Sequence, residues 1–453
     1  MRYFIRKLSG FTLIIGLLSG CASLRGADYR DIYEPVEKRT GLQLEKPSSE
    51  DHSEIISNLL GANLTIDSAL QVSLINNADL QALYQELGIA KADLLQSSLF
   101  KNPRLEGHAR SPNTEGKTNV EFLVIQDFMS ILLAPLCRHA ASSEFEEAKL
   151  RTSDAMINLL AEVKMAYYEV QAAEKIKQMH ATVLEAAEAS AELAERMSQA
   201  GNLNAPGLGL QRSALHEAQI NYLESESDAR LAREPLNRLL GLRDEDAEKW
   251  GVSGELSELP PADPDFEELS GIALENRLDY AAVTKHSQTL KRKLLATRLG
   301  IIPEAEVGFN TERESDGSRV TGPMWAVEAP IFDWKQAESA RTKAEIRQNR
   351  YKISGFEVLI LSEVREAYEK MSTSRLKAEK YKNDLIPARL QLIEDLQKHY
   401  NYMLVGVFQL LEAKRKTLEA EKEYVRTIKD YWVARSELER AVGGKLPNGG
   451  NHE

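Results

Sequence analysis

The chain has two cysteines, Cys21 and Cys137, in 453 residues. That is too few for a disulfide scaffold, and Cys137 reads as a small buried hydrophobe. The eight histidines form no HxxxH or HExxH arrangement, so no metal-ligand spacing is present. There is no Walker loop, and GVSGE at 251–255 has the wrong glycine spacing for a nucleophile elbow. After the first twenty residues no run of 18 apolar residues offers a membrane-spanning helix. Basic charge is in the minority: 57 Lys and Arg stand against 69 Asp and Glu, a formal charge of -12. With no concentrated basic patch, such a chain repels nucleic acid. Together these gaps point away from an enzyme and give no residues to hold a cofactor or metal.

What is present begins at the N-terminus. Arg2, Arg6 and Lys7 precede a short apolar run from Phe11 to Leu18. That is the layout of an export signal, and the run is too short to span a bilayer securely. Leu18-Ser19-Gly20-Cys21 then resembles a bacterial lipobox, in which the cysteine is lipidated and becomes the first mature residue. Ala22 follows, not the aspartate that retains such proteins at the inner membrane. Residues 1–20 are therefore expected to be a signal peptide. Residues 21–63 are expected to be a lipidated, extended segment tethered at the outer membrane, since several acyl chains hold far better than one. Removing Arg2, Arg6 and Lys7 takes the formal charge from -12 to -15.

The chain is also written twice. SLINNADLQA at 73–82 is answered by ALENRLDYAA at 273–282, with Leu74, Asn76, Asp79 and Ala82 recurring 200 residues on. Asn102-Pro103-Arg104-Leu105 is answered by Ile302-Pro303-Glu304-Ala305, and Ala166-Tyr167 by Ala367-Tyr368. The spacing predicts two repeats, 64–256 and 266–440, joined by a Pro-rich linker at 257–265 and followed by a flexible tail at 441–453.

Each repeat is expected to open with a helix of about 30 residues, near 66–100 and 267–300, stopped by Pro103 and Pro303. A strand hairpin follows at about 103–127 and 303–332. The second shows period two best: Glu304–Phe309, a polar turn TERESDGSR, then Met324–Ile331 with Trp325, Val327, Ala329 and Ile331 on one face. Very long helices come next, from about Ser142 to Ala200 and from about Lys335 to Tyr400, far beyond ordinary globular length. Met156, Val163 and Val170 recur at seven, as do Leu404, Leu411, Leu418, Val425 and Trp432. Tips at 201–206 and 401–407 turn the chain back, and Pro235 is expected to break the first return helix. Pro206 sits where that helix starts, a position proline tolerates. The segment FMSILLAPLCRHA at 128–140 is conspicuously apolar and sits where hairpin meets helix.

Two hairpins cannot make a stable sheet alone in water. A membrane-spanning version must be a closed barrel, because lipid leaves no partner for an open edge. Several copies would then have to pool their strands.

In these features the chain resembles the outer membrane efflux proteins, the TolC family. The carriers are the duplication, ALENRLDY at 273–280, the proline before each strand pair, APIFDWKQ at 329–336 and the YNYMLVGVFQLLEAK tip. The resemblance implies a mainly α fold with a small β part. Duplicated helix hairpins would build a trimeric periplasmic α-barrel, and four strands per chain would enter a twelve-stranded outer membrane β-barrel. It implies a homotrimer without cofactor that works with a periplasmic adaptor (membrane fusion) protein and an inner-membrane pump of the resistance-nodulation-division type. The implied task is passing small toxic solutes, drugs or metal ions, to the exterior. A type I protein secretion channel and a lipid-tethered coiled coil without a pore are the alternatives. Gly201 and Gly406 match the family's glycines at the adaptor-facing turns. Gate residues would be Tyr402, Leu404 and Gln409, since Asn401–Gln409 holds no acid. Leu278 departs from the family's common proline before Asp279.

Overall fold

A computed structural model describes residues 30–44, 52–61, 63–111, 113, 117–252, 256–299, 305–328 and 330–447. The signal peptide, the lipobox Cys21, Pro303, Ala329 and residues 448–453 lie outside them. In chain order the elements are α1 (Arg30–Thr40), α2 (His52–Leu60), α3 (Ile66–Asn76), α4 (Ala78–Ser98), β1 (Arg104–Arg110) and β2 (Asn119–Asp127). Then come α5 (Phe128–Gln199), α6 (Ala205–Leu240), α7 (Phe266–Asn276), α8 (Leu278–Leu299), β3 (Ala305–Arg313) and β4 (Arg319–Val327). The last are α9 (Gln336–Lys380), a widened π turn (Tyr381–Leu385), α10 (Ile386–Asn401) and α11 (Val407–Ala441). The fold is thus mainly helical with one small sheet, as the sequence predicts.

The chain divides into two units. One holds residues 84–149 and 283–351 and contains the sheet; the other holds 30–83, 150–282 and 352 onward and is helical. Within the helical unit the duplication is visible in the backbone. Each repeat begins with two helices and not one of about 30 residues. The breaks fall at Asn77 (φ -67°, ψ 119°) and Arg277 (φ -64°, ψ 122°), 200 positions apart. Both residues are extended, yet each donates its backbone N–H to the carbonyl four back, Ser73 or Ala273. A second matched pair seals the breaks. Gly241 (φ 67°) ends α6 against Asn76, and Gly443 (φ 77°) follows α11 against Asn276 and Arg277. A Cβ on Gly241 would stand 2.4 Å from the Asn76 carbonyl oxygen, so only glycine fits this left-handed, closely approached position.

The seam of α5 is the one its sequence shows: Met156, Leu160, Val163, Tyr167 and Val170 are all buried. That of α11 is not. The buried stripe there is Leu410, Ala413, Thr417, Ala420, Ile428, Tyr431, Ala434 and Leu438, while Leu411 and Leu418 stay half-exposed and Leu404 is exposed. Small side chains let this helix approach its neighbours closely, and a stripe picked out by leucines misses them. Tyr431 and Leu438 pack with Ile360, Val364 and Met371 of α9 and Leu269 of α7. Each such aliphatic side chain, fully buried, stabilises the fold by about 1.5–3 kcal/mol.

Several local expectations are corrected. Pro235 does not break α6, which runs through it as α5 runs through Pro135. Around Pro235 the buried Leu236, Asn237 and Leu240 hold the helix against the lost hydrogen bond. Pro387 is accommodated differently. The π turn just before it widens the helix, so the ring escapes the carbonyl it would meet in a regular turn. The segment 21–63 is not extended where described but carries α1 and α2, with Ile32, Tyr33 and Val36 buried. The tail is ordered as far as it is described: Val442 and Leu446 are buried and the Lys445 N–H donates to the Arg39 carbonyl. The linker 257–265 is clamped. Arg375 binds Asp263 through two nitrogens at 2.7 and 2.8 Å and also reaches the Pro260 carbonyl. Cys137 is exposed, because it lies on an open face of α5.

Candidate functional site

The sheet is antiparallel in the order β1-β2-β3-β4, so β1 and β4 are open edges. Its strands outrun the sequence reading at the second hairpin: Thr311–Arg313 belong to β3, and β4 begins at Arg319 and ends at Val327, before Ile331. Pairing extends the ladder to a short turn closed by Glu314 N–H to the Ser318 carbonyl at 3.0 Å.

Register sorts the side chains, because residues opposite each other share a face. One row joins Leu105, Val124, Phe309 and Pro323; the next in one direction holds Gln126, Val307 and Trp325. In the other direction come Gly107, Phe122, Thr311 and Thr321, then Ala109, Val120, Arg313 and Arg319. This face is apolar over its middle and its large side chains are exposed, Trp325 at 77%. The opposite face is charged and internally tied. Arg104 pairs with Glu306 at 3.1 Å, and Arg110 with Glu121 at 3.8 Å. The Asn310 amide donates to Glu121 at 3.0 Å. The bare face is the apolar one and the satisfied face is the polar one, the reverse of a soluble sheet's economy.

At the end of the sheet where β1 starts and β4 stops, more apolar side chains are exposed: Phe100, Phe128, Leu132, Ile331, Phe332 (90%) and Trp334. The turn 331–336 that presents three of them is held by its own hydrogen bonds. The Trp334 indole donates to the Ile331 carbonyl at 3.2 Å, and Asp333 accepts from the Lys335 N–H at 2.8 Å. The apolar stretch 128–140 flagged in the sequence is the first turns of α5.

In the helical unit the two tips reverse by the same device with different residues. After α5, Gly201 (φ 77°) donates to the Ser198 carbonyl and Asn202 to Met197. After α10, Met403 (φ 59°) donates to Tyr400 and Leu404 to His399. Both are left-handed helix ends with paired backbone bonds. Gly201 makes its turn as expected, but the residue equivalent to it is Met403. Gly406 sits at φ -82° as the N-cap of α11, a conformation open to any residue, with free space where a Cβ would go. At the first tip Asn204 caps α6, accepting from the Gly207 N–H at 2.9 Å, with Pro206 in the first turn. A non-glycine left-handed residue costs about 1–2 kcal/mol. Met403→Gly is therefore expected to slow amide exchange of Tyr402–Val405 by stabilising the tip by about 1 kcal/mol. Unchanged exchange there would refute the strain.

Of the gate residues, Tyr402 and Leu404 are exposed at this tip beside Met403 at 93%. Gln409 is exposed too, one turn into α11, where it borders a groove of about 820 Å³ between α5, α6 and α11. Phe408, Leu411 and Leu418 line that groove with Val183 and Leu210. The leucine stripe of α11 thus faces a groove and not a core.

A buried charge cluster at the second break was missed by sequence reasoning. Arg277, 7% exposed, bonds Asp279 through two nitrogens and Glu363 through a third. Burial pulls its pKa down, but the hydrogen bonds and charges of Asp279 and Glu363 more than reverse this, and the net shift is upward. Asp154 shares the site. Burial first, then the Asp279 charge, raise its pKa to about 6 against the opposing pull of Arg277 and Asn158. A carboxyl that holds its proton more tightly folded than unfolded makes stability fall as pH climbs from 3.8 to about 6. The loss is about 3 kcal/mol, complete above that window. Asp154→Asn is expected to abolish this slope and to be the more stable form at pH 7. Urea unfolding at several pH values across the window checks it; an unchanged slope would count against it.

Among the described residues no group of His, Cys, Asp and Glu is placed to hold a metal ion. No described helix is long and apolar enough to cross a membrane.

Residues 137–242 match the family model described as outer membrane efflux protein. No curated protein matches the chain. Solved structures do, over nearly its whole length. CusC, described in connection with transmembrane channel formation, gives a TM-score of 0.69 at 16% identity, covering 90% of this chain and 99% of that one. The CmeC outer membrane channel of Campylobacter jejuni gives 0.71 at 16%, covering 89% and 94%. The MtrE outer membrane channel of Neisseria gonorrhoeae, in its open state, gives 0.67 at 15%, covering 90% and 98%.

Proposed function

We infer that this chain, which carries an outer membrane efflux protein domain at residues 137–242 and has the fold of bacterial outer membrane channels, is one subunit of such a channel. The observation that supports this most directly is the sheet. It has an exposed apolar face, a charged opposite face and two unpaired edges. In lipid those edges must be paired, and the polar face must line water. Two copies would give eight strands, a barrel whose interior side chains fill. Three give twelve strands and an aqueous bore, which is also the number the family resemblance implies. In this reading the aromatic turn at 331–334 and Phe128 lie at the periplasmic interface, where amphipathic rings settle. The tips around Gly201 and Met403–Gly406 meet a periplasmic adaptor joined to an inner-membrane pump. Tyr402, Leu404 and Gln409 narrow the bore near the second tip. The cargo is small toxic solutes, drugs or metal ions, moved by the pump's energy. Lipid on Cys21 aids sorting and insertion of the subunit at the outer membrane, since a closed barrel already anchors the assembly.

Reconstitution in planar bilayers tests the channel. Stepwise conductance from a species that cross-links as a trimer is expected. Protein that stays monomeric after mild extraction and never conducts would refute the reading.

A further inference from the structure

The outward row at the turn end of the sheet does not fit a lipid-facing or a merely solvated surface. Arg313 of β3 stands directly opposite Arg319 of β4 on the same face as Trp325 and Phe309. Both are exposed, and no ion pair or side-chain hydrogen bond joins either guanidinium to a described residue. Like charges directly opposite each other destabilise a strand pair. The nearby acids are engaged elsewhere. Glu312 accepts from Asn119 on the other face, Asp316 accepts from the Ser318 N–H, and the Glu314 carboxylate accepts from the Ser318 hydroxyl. Lys117, one loop away, adds a third positive charge beside Gly317.

The row's position says what would neutralise it. Reading along the face from Val307 and Trp325, the side chains are apolar through Phe309 and Pro323. They turn to the hydroxyl pair Thr311 and Thr321, 3.2 Å apart, and then to the two arginines. From Trp325 to Arg319 is about 20 Å along the strand at roughly 3.4 Å per residue. With strands tilted by about 35–45° that run rises only about 15 Å, and the exposed Ile331, Phe332 and Trp334 beyond Trp325 extend the apolar surface toward the roughly 25 Å of a barrel's apolar band. An arginine at mid-bilayer is costly on such a surface but nearly free at the interface. The pair therefore sits at headgroup level on the side of the membrane reached by the strand turns. Two guanidinium forks there match phosphate oxygens better than water or a point charge does.

We propose that Arg313 and Arg319 form a binding site for the phosphate of an anionic lipid headgroup in the outer leaflet. This rests on the channel reading, and the test separates the two. The full-length assembly is reconstituted in phosphatidylcholine vesicles with or without lipid A, extracted mildly, and its lipid adducts are counted by native mass spectrometry. A parallel arm offers inorganic phosphate in place of lipid A. Wild type is expected to retain lipid A. Arg313→Gln with Arg319→Gln is expected to lose retention by roughly thirtyfold, two surface arginines' worth. Free phosphate is expected neither to be retained nor to compete.

Equal retention by the double variant would overturn the site. Competition by free phosphate would overturn the lipid assignment in favour of a general anion site. Quenching of Trp325 by lipid-borne spin labels reports insertion independently of the arginines. If Trp325 is unquenched in wild type, it is the channel reading that falls. If it is quenched in both proteins, any retained or lost adduct bears on the arginine site alone.

Discussion

Replacing Arg277 with methionine is expected to cost about 3–5 kcal/mol, the typical penalty for stranding a buried charge partner. The substitution keeps most of the side-chain volume, so the loss is electrostatic. Asp279 and Glu363 would face each other with Asp154 nearby and only Arg440 left, 3.9 Å from Glu363. The site is the break between α7 and α8, where Gly443 packs against the Arg277 backbone, so damage should spread to the end of α11. Urea unfolding measures the loss, and amide exchange at Asn276–Leu278 and Val442–Gly444 locates it. Adding Glu363→Gln should restore part of the stability by removing one stranded carboxylate. A single-variant loss below about 1 kcal/mol, the worth of an exposed pair, would show that the cluster is effectively solvated.

Phe309→Arg is expected to block assembly in the membrane. Phe309 lies in the middle of the apolar row, between Val124 and Pro323. An arginine at the mid-height of a lipid-facing surface costs about 2–4 kcal/mol, and a trimer would incur it three times. Its neighbour on the other face, Asn310, already bonds a carboxylate, so Asn310→Arg should be tolerated. Heat-resistant oligomer in outer membrane fractions is the readout. The contrast between adjacent positions is what matters, since a sheet with both faces in water would show no such alternation. Equal yields from the two variants would contradict the assignment of faces.

Much of this was legible in the sequence because it depends on local rules. The 200-residue repeat, the two hairpins, the long helices and the first tip all follow from period, breakers and glycine. The tip illustrates the limit as well. Gly201 could be read from its type, but Met403 adopts the same left-handed state without any residue signal, and Gly406 drew attention that its backbone does not need. Pro235 misled for a related reason. Its local cost is offset by packing on either side, just as α5 runs through Pro135 and a π turn accommodates Pro387.

The sequence alone determined the mainly α class, the duplication, the four strands and the alternation that makes one sheet face apolar. These rest on side-chain periods of 2 and 3.6, which any local stretch displays. Only the tertiary structure decided three things: which stripe of α11 is buried, how Arg277 is neutralised by Glu363 some 86 residues away, and that Arg313 stands against Arg319. Burial and charge pairing are properties of which surfaces meet, and no spacing along the chain encodes a partner brought in from another repeat or strand.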